Sequence, residues 1–144
     1  MKVLVSACLL GKNCKYNGGN NLCPAVVEFI RAHEVVAVCP ELRAGLGCPR
    51  TPVEIVDGVL MARDGTNVDA LLRQAAREAV DLAAGEGIDL AILQSRSPTC
   101  GVNQVYDGSF TGRLIPGHGV FAGMLLERGF RVLDAADIPE KVSP

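Results

Sequence analysis

Leu90-Ala91-Ile92-Leu93-Gln94-Ser95-Arg96-Ser97-Pro98-Thr99-Cys100-Gly101 changes character a third of the way along. Its first four residues are apolar without alternation, the pattern of a strand covered on both faces in a parallel sheet. A polar Ser/Pro/Gly loop holding a cysteine follows directly. The same pattern occurs twice upstream. Lys2 to Ala7 is a short apolar, β-branched run that meets Cys8 and then the aperiodic, Gly-rich stretch Gly11 to Asn20, and Val35 to Cys39 is a second buried run, closed by Pro40. Arg131-Val132-Leu133 predicts a fourth strand.

Helical patterns lie between these runs. Pro24 suits the first turn of a helix over about Cys23 to His33, with Val26, Val27, Phe29 and Ile30 on its apolar face. The longest helix is expected to start at Thr66, whose hydroxyl and Asp69 match a capping box, with apolar residues at Val68, Leu71, Leu72, Ala75, Ala76, Ala79, Leu82 and Ala83 and small alanines that favour close packing on a sheet. Val120 to Arg128 predicts a last helix, closed by Gly129. Strands alternating with helices specify a mostly parallel sheet with right-handed crossovers, an α/β, Rossmann-like, doubly wound fold flanked by helices. Val53 to Val56, Asp57-Gly58 and Val59 to Ala62 insert a small β-hairpin. Glu41 to Pro52 reads as irregular, and Tyr106 to Gly112 as a turn between short extended pieces.

The 144 residues fit a single domain with a real core, residues 1–144. A net charge of −2 gives no basic field for nucleic acid or an anionic membrane. The N-terminal run is too short for a signal peptide and no stretch reaches transmembrane length, so a cytoplasmic protein is expected. Oligomeric state has no signature here.

Six cysteines in a reducing compartment point to metal or catalysis rather than disulfides. Any one of them, taken alone, is as readily a core filler. In an open parallel sheet, however, ligands bind beyond the carboxyl ends of the strands, and Cys8, Cys39 and Cys100 all fall there. Three thiolates from separate loops suit zinc with an open position or an iron–sulfur cluster with one iron free of protein. No CxxC pair is present, which disfavours a structural zinc site, a simple electron carrier and a thiol redox protein alike. Gly11, Gly18, Gly19, Gly45, Gly47 and Gly101 are expected to let the chain approach a bulky cofactor. Glu41 and Ser97 stand at the same edge within reach of a substrate; a solvated carboxylate and a turn-forming hydroxyl are their plainer readings. Arg43, Arg50 and Arg96 are candidates to line the pocket, whereas His33 and His118 are not expected to be ligands. No P-loop or spaced-glycine dinucleotide fingerprint is present.

Val5-Ser6-Ala7-Cys8-Leu9-Leu10-Gly11, Tyr16-Asn17-Gly18-Gly19, Val38-Cys39-Pro40-Glu41, Pro49-Arg50-Thr51-Pro52-Val53-Glu54-Ile55, Ser95 to Gly101 and Tyr106-Asp107-Gly108-Ser109-Phe110 together resemble the bacterial thiouracil desulfidases over nearly the whole chain. Asn17 departs from the Asp expected in that pattern. The resemblance implies a [4Fe-4S] cluster on Cys8, Cys39 and Cys100, proton transfer by Glu41, a substrate-orienting hydroxyl on Ser97, and non-redox removal of sulfur from a small thiolated pyrimidine. Cys48, close to Cys39 in sequence, is the rival third ligand. Cys14 is a neighbour of the cluster on this view, and Cys23 is helix-start packing.

Overall fold

A computed structural model describes residues 1–138. At its centre β1 (Lys2–Ser6) pairs in parallel with β2 (Glu34–Val38) on one side and β5 (Leu90–Leu93) on the other. β5 pairs in parallel with β8 (Val132–Asp134), giving the order β2-β1-β5-β8. The intervening strands form two antiparallel hairpins, β3 (Val53–Val56) with β4 (Val59–Ala62) and β6 (Gln104–Tyr106) with β7 (Leu114–Pro116). The first is the expected insertion, turned by Asp57-Gly58, both at positive φ. The second pair is too short for periodicity to reveal.

Alternation along the central strands sorts side chains to two faces. Leu4, Ala91 and Leu93 pack with Ala76, Ala79 and Ala83 of α3 (Asp69–Glu86) and Phe121, Ala122 and Leu125 of α4 (Val120–Glu127). Val3, Val5, Leu90 and Ile92 face the other way, onto Val26 and Ile30 of α1 (Pro24–Ile30). Helices therefore cover both faces. The alanines of α3 lack bulk beyond Cβ, which lets that helix lie close to the sheet. Each fully buried Leu, Ile or Phe in these layers contributes roughly 1.5–3 kcal/mol of transfer free energy. Among the described residues no helix is long and apolar enough to cross a membrane.

Two local expectations need correction. Helix α3 begins at Asp69, not Thr66, and has no side-chain cap from its N-cap residue Val68. The Asn67 carboxamide takes the Asp69 N–H (2.9 Å), while the Asp69 carboxylate accepts from Leu60 N of β4 (3.0 Å) and from Arg73. Asp69 thus ties the helix to the hairpin instead of reaching back to a cap. Within the segment read as irregular, Pro40–Arg43 forms one helical turn, α2, with Pro40 at its start.

The loop after β5 docks on the N-terminus of α4. A helix leaves its first N–H groups without internal partners, and here Val120 N donates to Pro98 O (3.0 Å), Phe121 N to Thr99 O (2.9 Å) and Gly119 N to Gly101 O (2.8 Å). The approach is so close that a Cβ on Gly119 would lie 2.5 Å from the Thr99 carbonyl. Gly119→Ala is therefore expected to lose about 1–3 kcal/mol of stability through overpacking. Urea denaturation checks this: the midpoint should fall, and an unchanged midpoint would contradict the contact.

Candidate functional site

The parallel strands deliver their loops to one edge of the sheet. Cys8 lies in a single 3-10 turn, Ala7–Leu10, directly after β1; Cys39 is the residue between β2 and α2; Cys100 ends the loop docked on α4. All three line one cavity of about 470 Å³, together with Glu41, Ser97 and a fourth thiol, Cys14. The convergence expected from the sequence is thus present.

These thiols sit in a desolvated setting. Burial pushes the Cys100 thiol up to about 12 against the opposing hydrogen bonds of Ser6 and Thr99, and the Cys39 and Cys8 sulfurs add to the rise. Burial likewise raises Cys8, although the Asn21 carboxamide donates to its sulfur at 3.5 Å. Cys14, only 2% exposed, is pushed up to about 12 by burial first and by Cys39 and Cys8 next. Thiols that face each other in a dry cavity are poor thiolates by themselves, since each negative charge would be uncompensated. A polycationic metal core removes that cost, because binding it displaces the thiol protons.

Among the described residues no group of three or more His, Cys, Asp or Glu side chains is gathered closely enough to hold one metal ion. Thiols brought to one cavity from three separate loops suit an iron–sulfur cluster, whose ligands bind separate irons. The donor set fits an iron–sulfur cluster on those chemical grounds.

Cys48 is excluded from this group. It is exposed, does not line the cavity, and donates its S–H to Asn13 O (3.1 Å) and Lys15 O (2.9 Å). Cys23 precedes α1 and packs beside Val26 and Ile30, as helix-start packing should.

Glu41 occupies the first turn of α2, and its Oε2 accepts from Arg50 Nη2. Ser97 Oγ accepts the backbone N–H of Thr99 (3.2 Å) and of Cys100 (3.1 Å) and shares a proton with Thr99 Oγ1 (3.0 Å). Its hydroxyl therefore shapes the turn that presents Cys100, whatever else it does.

Arg50 and Arg96 line the cavity, Arg96 with a left-handed backbone (φ 64°). Arg43 does not line it; it lies 4.0 Å from Glu78 of α3. None of the six loop glycines expected near a cofactor lines the cavity either. Gly101 instead packs where a Cβ would meet Ser97 O and Gln104 O at 2.7 Å. Neither histidine lines it: His33 contacts the N-terminal amine and His118 the Val102 carbonyl.

Another part of the cavity lining is not legible in local pattern. Glu54 alternates with apolar neighbours as a solvent-facing strand residue would, yet it is buried and accepts from Gly108 N (2.9 Å) and Phe110 N (3.2 Å). That carboxylate holds the backbone of Gly108 and Phe110 against the hairpin, and Tyr106 and Phe110 line the cavity together with the thiols.

Comparison with known proteins places this arrangement. The model of the 2-thiouracil desulfurase family matches residues 3–137. The uncharacterised protein YbbK of Bacillus subtilis (strain 168) is 32% identical, over 94% of this chain and 97% of that protein. The solved structure of the [4Fe-4S]-dependent thiouracil desulfidase TudS is similar with a TM-score of 0.89 and 33% identity, covering 96% of this chain and 93% of that one.

Thiol burial has a direct chemical readout, because only an accessible thiolate alkylates. In native protein at pH 8, iodoacetamide should modify Cys48 more than about tenfold faster than Cys14, with the two converging in denaturant. Peptide mass mapping reads the order; equal native rates would contradict the burial of Cys14.

Proposed function

The chain belongs to the 2-thiouracil desulfurase family, and we propose on that basis how its own residues carry out desulfuration. It is an iron–sulfur-dependent desulfidase that removes sulfur from thiouracil or a related thiolated base without net redox change. The ring carbon loses sulfur as hydrogen sulfide and gains the oxygen of water. The observation that carries the assignment of residues is the meeting of Cys8, Cys39, Cys100 and Glu41 in one cavity at the ends of β1, β2 and β5.

Cys8, Cys39 and Cys100 are the residues that hold the [4Fe-4S] cluster. When bound, the cluster supplies a Lewis-acidic iron without a protein ligand, to which the thiocarbonyl sulfur can attach. Three ligands leave that position open; Cys14 stays a neighbouring thiol.

Glu41 is the acid/base. Its carboxylate borders the same cavity, where it takes a proton from the attacking water at the ring carbon and returns one to the departing sulfur or ring nitrogen. Ser97 Oγ is fixed by two backbone N–H groups, and its own proton turns from Thr99 Oγ1 toward the base to orient it. The cavity volume suits a free pyrimidine, and the net charge of −2 supports a small molecule over nucleic acid. Reduced cysteines and an oxygen-sensitive cofactor favour the cytoplasm.

Two experiments test the assignment. In anaerobically reconstituted protein, Cys39→Ser should abolish a stable cluster and Cys48→Ser should leave iron and sulfide content intact. A full cluster in the Cys39 variant with loss in the Cys48 variant would reverse the third ligand. Glu41→Gln keeps the size and hydrogen bonding of the side chain but removes its titratable proton. It should retain normal iron and lose about a hundredfold to ten-thousandfold in desulfuration rate. A near-wild-type rate with an intact cluster would remove Glu41 from the chemistry.

A further inference from the structure

We propose that Arg50 is a positioning residue for desulfuration that acts through Glu41 and makes no productive contact with substrate. The inference rests on the reading of Glu41 given above.

Arg50 is held at three points. Its Nη2 donates to Glu41 Oε2, its Nη1 to Gly47 O (2.9 Å), and its backbone N–H to Tyr16 O (2.5 Å). The Arg50 side chain is 6% exposed and that of Glu41 15%. A guanidinium fixed on this scale cannot follow a ligand in and out, although it borders the cavity. Other cations of the cavity differ: Lys15, Arg63 and Arg96 form no ion pair among the described residues.

The consequence falls on the carboxylate. Glu41 stands on a single helical turn and has three rotatable side-chain bonds. With Oε2 engaged by Arg50, one rotamer is selected and Oε1 is the oxygen left for water or substrate. Arg suits this task better than Lys, because its rigid fork spans Gly47 O and Glu41 together while a Lys ammonium is a point donor. Removal of Arg50 would leave a largely buried carboxylate without its cation, free to swing or to find another donor.

The test uses holoenzyme, 2-thiouracil, and Arg50→Lys and Arg50→Gln in the wild-type and Glu41→Gln backgrounds. Turnover, iron and sulfide content, and the Kd for 2-thiouracil from its perturbation of cluster absorption are measured together. Arg50→Gln should keep its iron and lower kcat about 10- to 100-fold, as misplaced catalytic groups do. KM and Kd should stay within about threefold, and Arg50→Lys should recover part of the rate. Coupling is the decisive readout: in the Glu41→Gln background, Arg50→Gln should cost less than about threefold more.

Losses that multiply across the two sites would overturn the proposal. So would a tenfold rise in KM and Kd with kcat intact, on the order expected of a lost substrate contact. Iron loss in both Arg50 variants would assign the residue to loop assembly instead. Should only Arg50→Gln lose iron, Arg50→Lys carries the same coupling comparison. A wild-type rate in Glu41→Gln alone would remove the catalytic Glu41 and this proposal together, whereas multiplying losses remove only the role of Arg50.

Discussion

Strand β1 is hydrogen-bonded on both edges and covered on both faces, and that enclosure sets the rest of the molecule. A strand in this position can hold neither a polar side chain without a partner nor an unpaired backbone group. Its neighbours must therefore be parallel strands reached by crossover helices, one layer on each face. Because β1, β2 and β5 run the same way, their following loops have to emerge at one edge. The chain goes from β1 to β2 on one side and later returns to β5 on the other, so the order reverses at β1, the place where such sheets open a crevice.

The candidate site lies in that crevice, and each of its groups is fixed by contacts with another loop or a helix terminus. Cys100 is held by the carbonyls of its own loop docking on the first turn of α4. The same contacts satisfy helix N–H groups that would otherwise be orphaned. Glu41 is held by Arg50, whose main chain is itself bonded to the loop carrying Cys14. Glu54 clamps the aromatic loop. Helix termini, a buried ion pair and a buried carboxylate thus do for the loops what sheet hydrogen bonds do for the strands.

Burial leaves the thiols of the site without a compensating charge. It raises the thiols of Cys8, Cys14 and Cys100 and so disfavours free thiolates, which makes cofactor binding and deprotonation one event. The carboxylate of Glu41 instead has a cation within hydrogen-bonding reach and does not need the cofactor to be tolerated. The proposed function divides the labour along the same line, with sulfur handled at the thiol-lined side and protons at the carboxylate.

The amino-acid sequence by itself determined the four parallel strands, the covering helices and the first hairpin, since continuous apolar runs, period-3.6 hydrophobicity and the Asp57-Gly58 turn are local properties. It also determined that Cys8, Cys39 and Cys100 share one edge, because strand direction alone places them there. Only the tertiary structure decided what lies within that edge. Cys39 and Cys48 are nine positions apart, the first the expected ligand and the second its rival on paper; the turn of α2 keeps the first at the cavity, while Cys48 is held outward by Asn13 and Lys15. Glu54 carries no signal of its own role in its strand, and Arg43, Arg50 and Arg96 read alike as candidates to line the pocket. Their separation into a loop clamp, a partner of α3, a partner of Glu41 and a cavity residue arises from contacts between segments far apart in the chain. Local pattern encodes which face of an element is apolar, but a polar side chain's role is fixed by the donor or acceptor it meets, and those meetings exist only once the loops are packed.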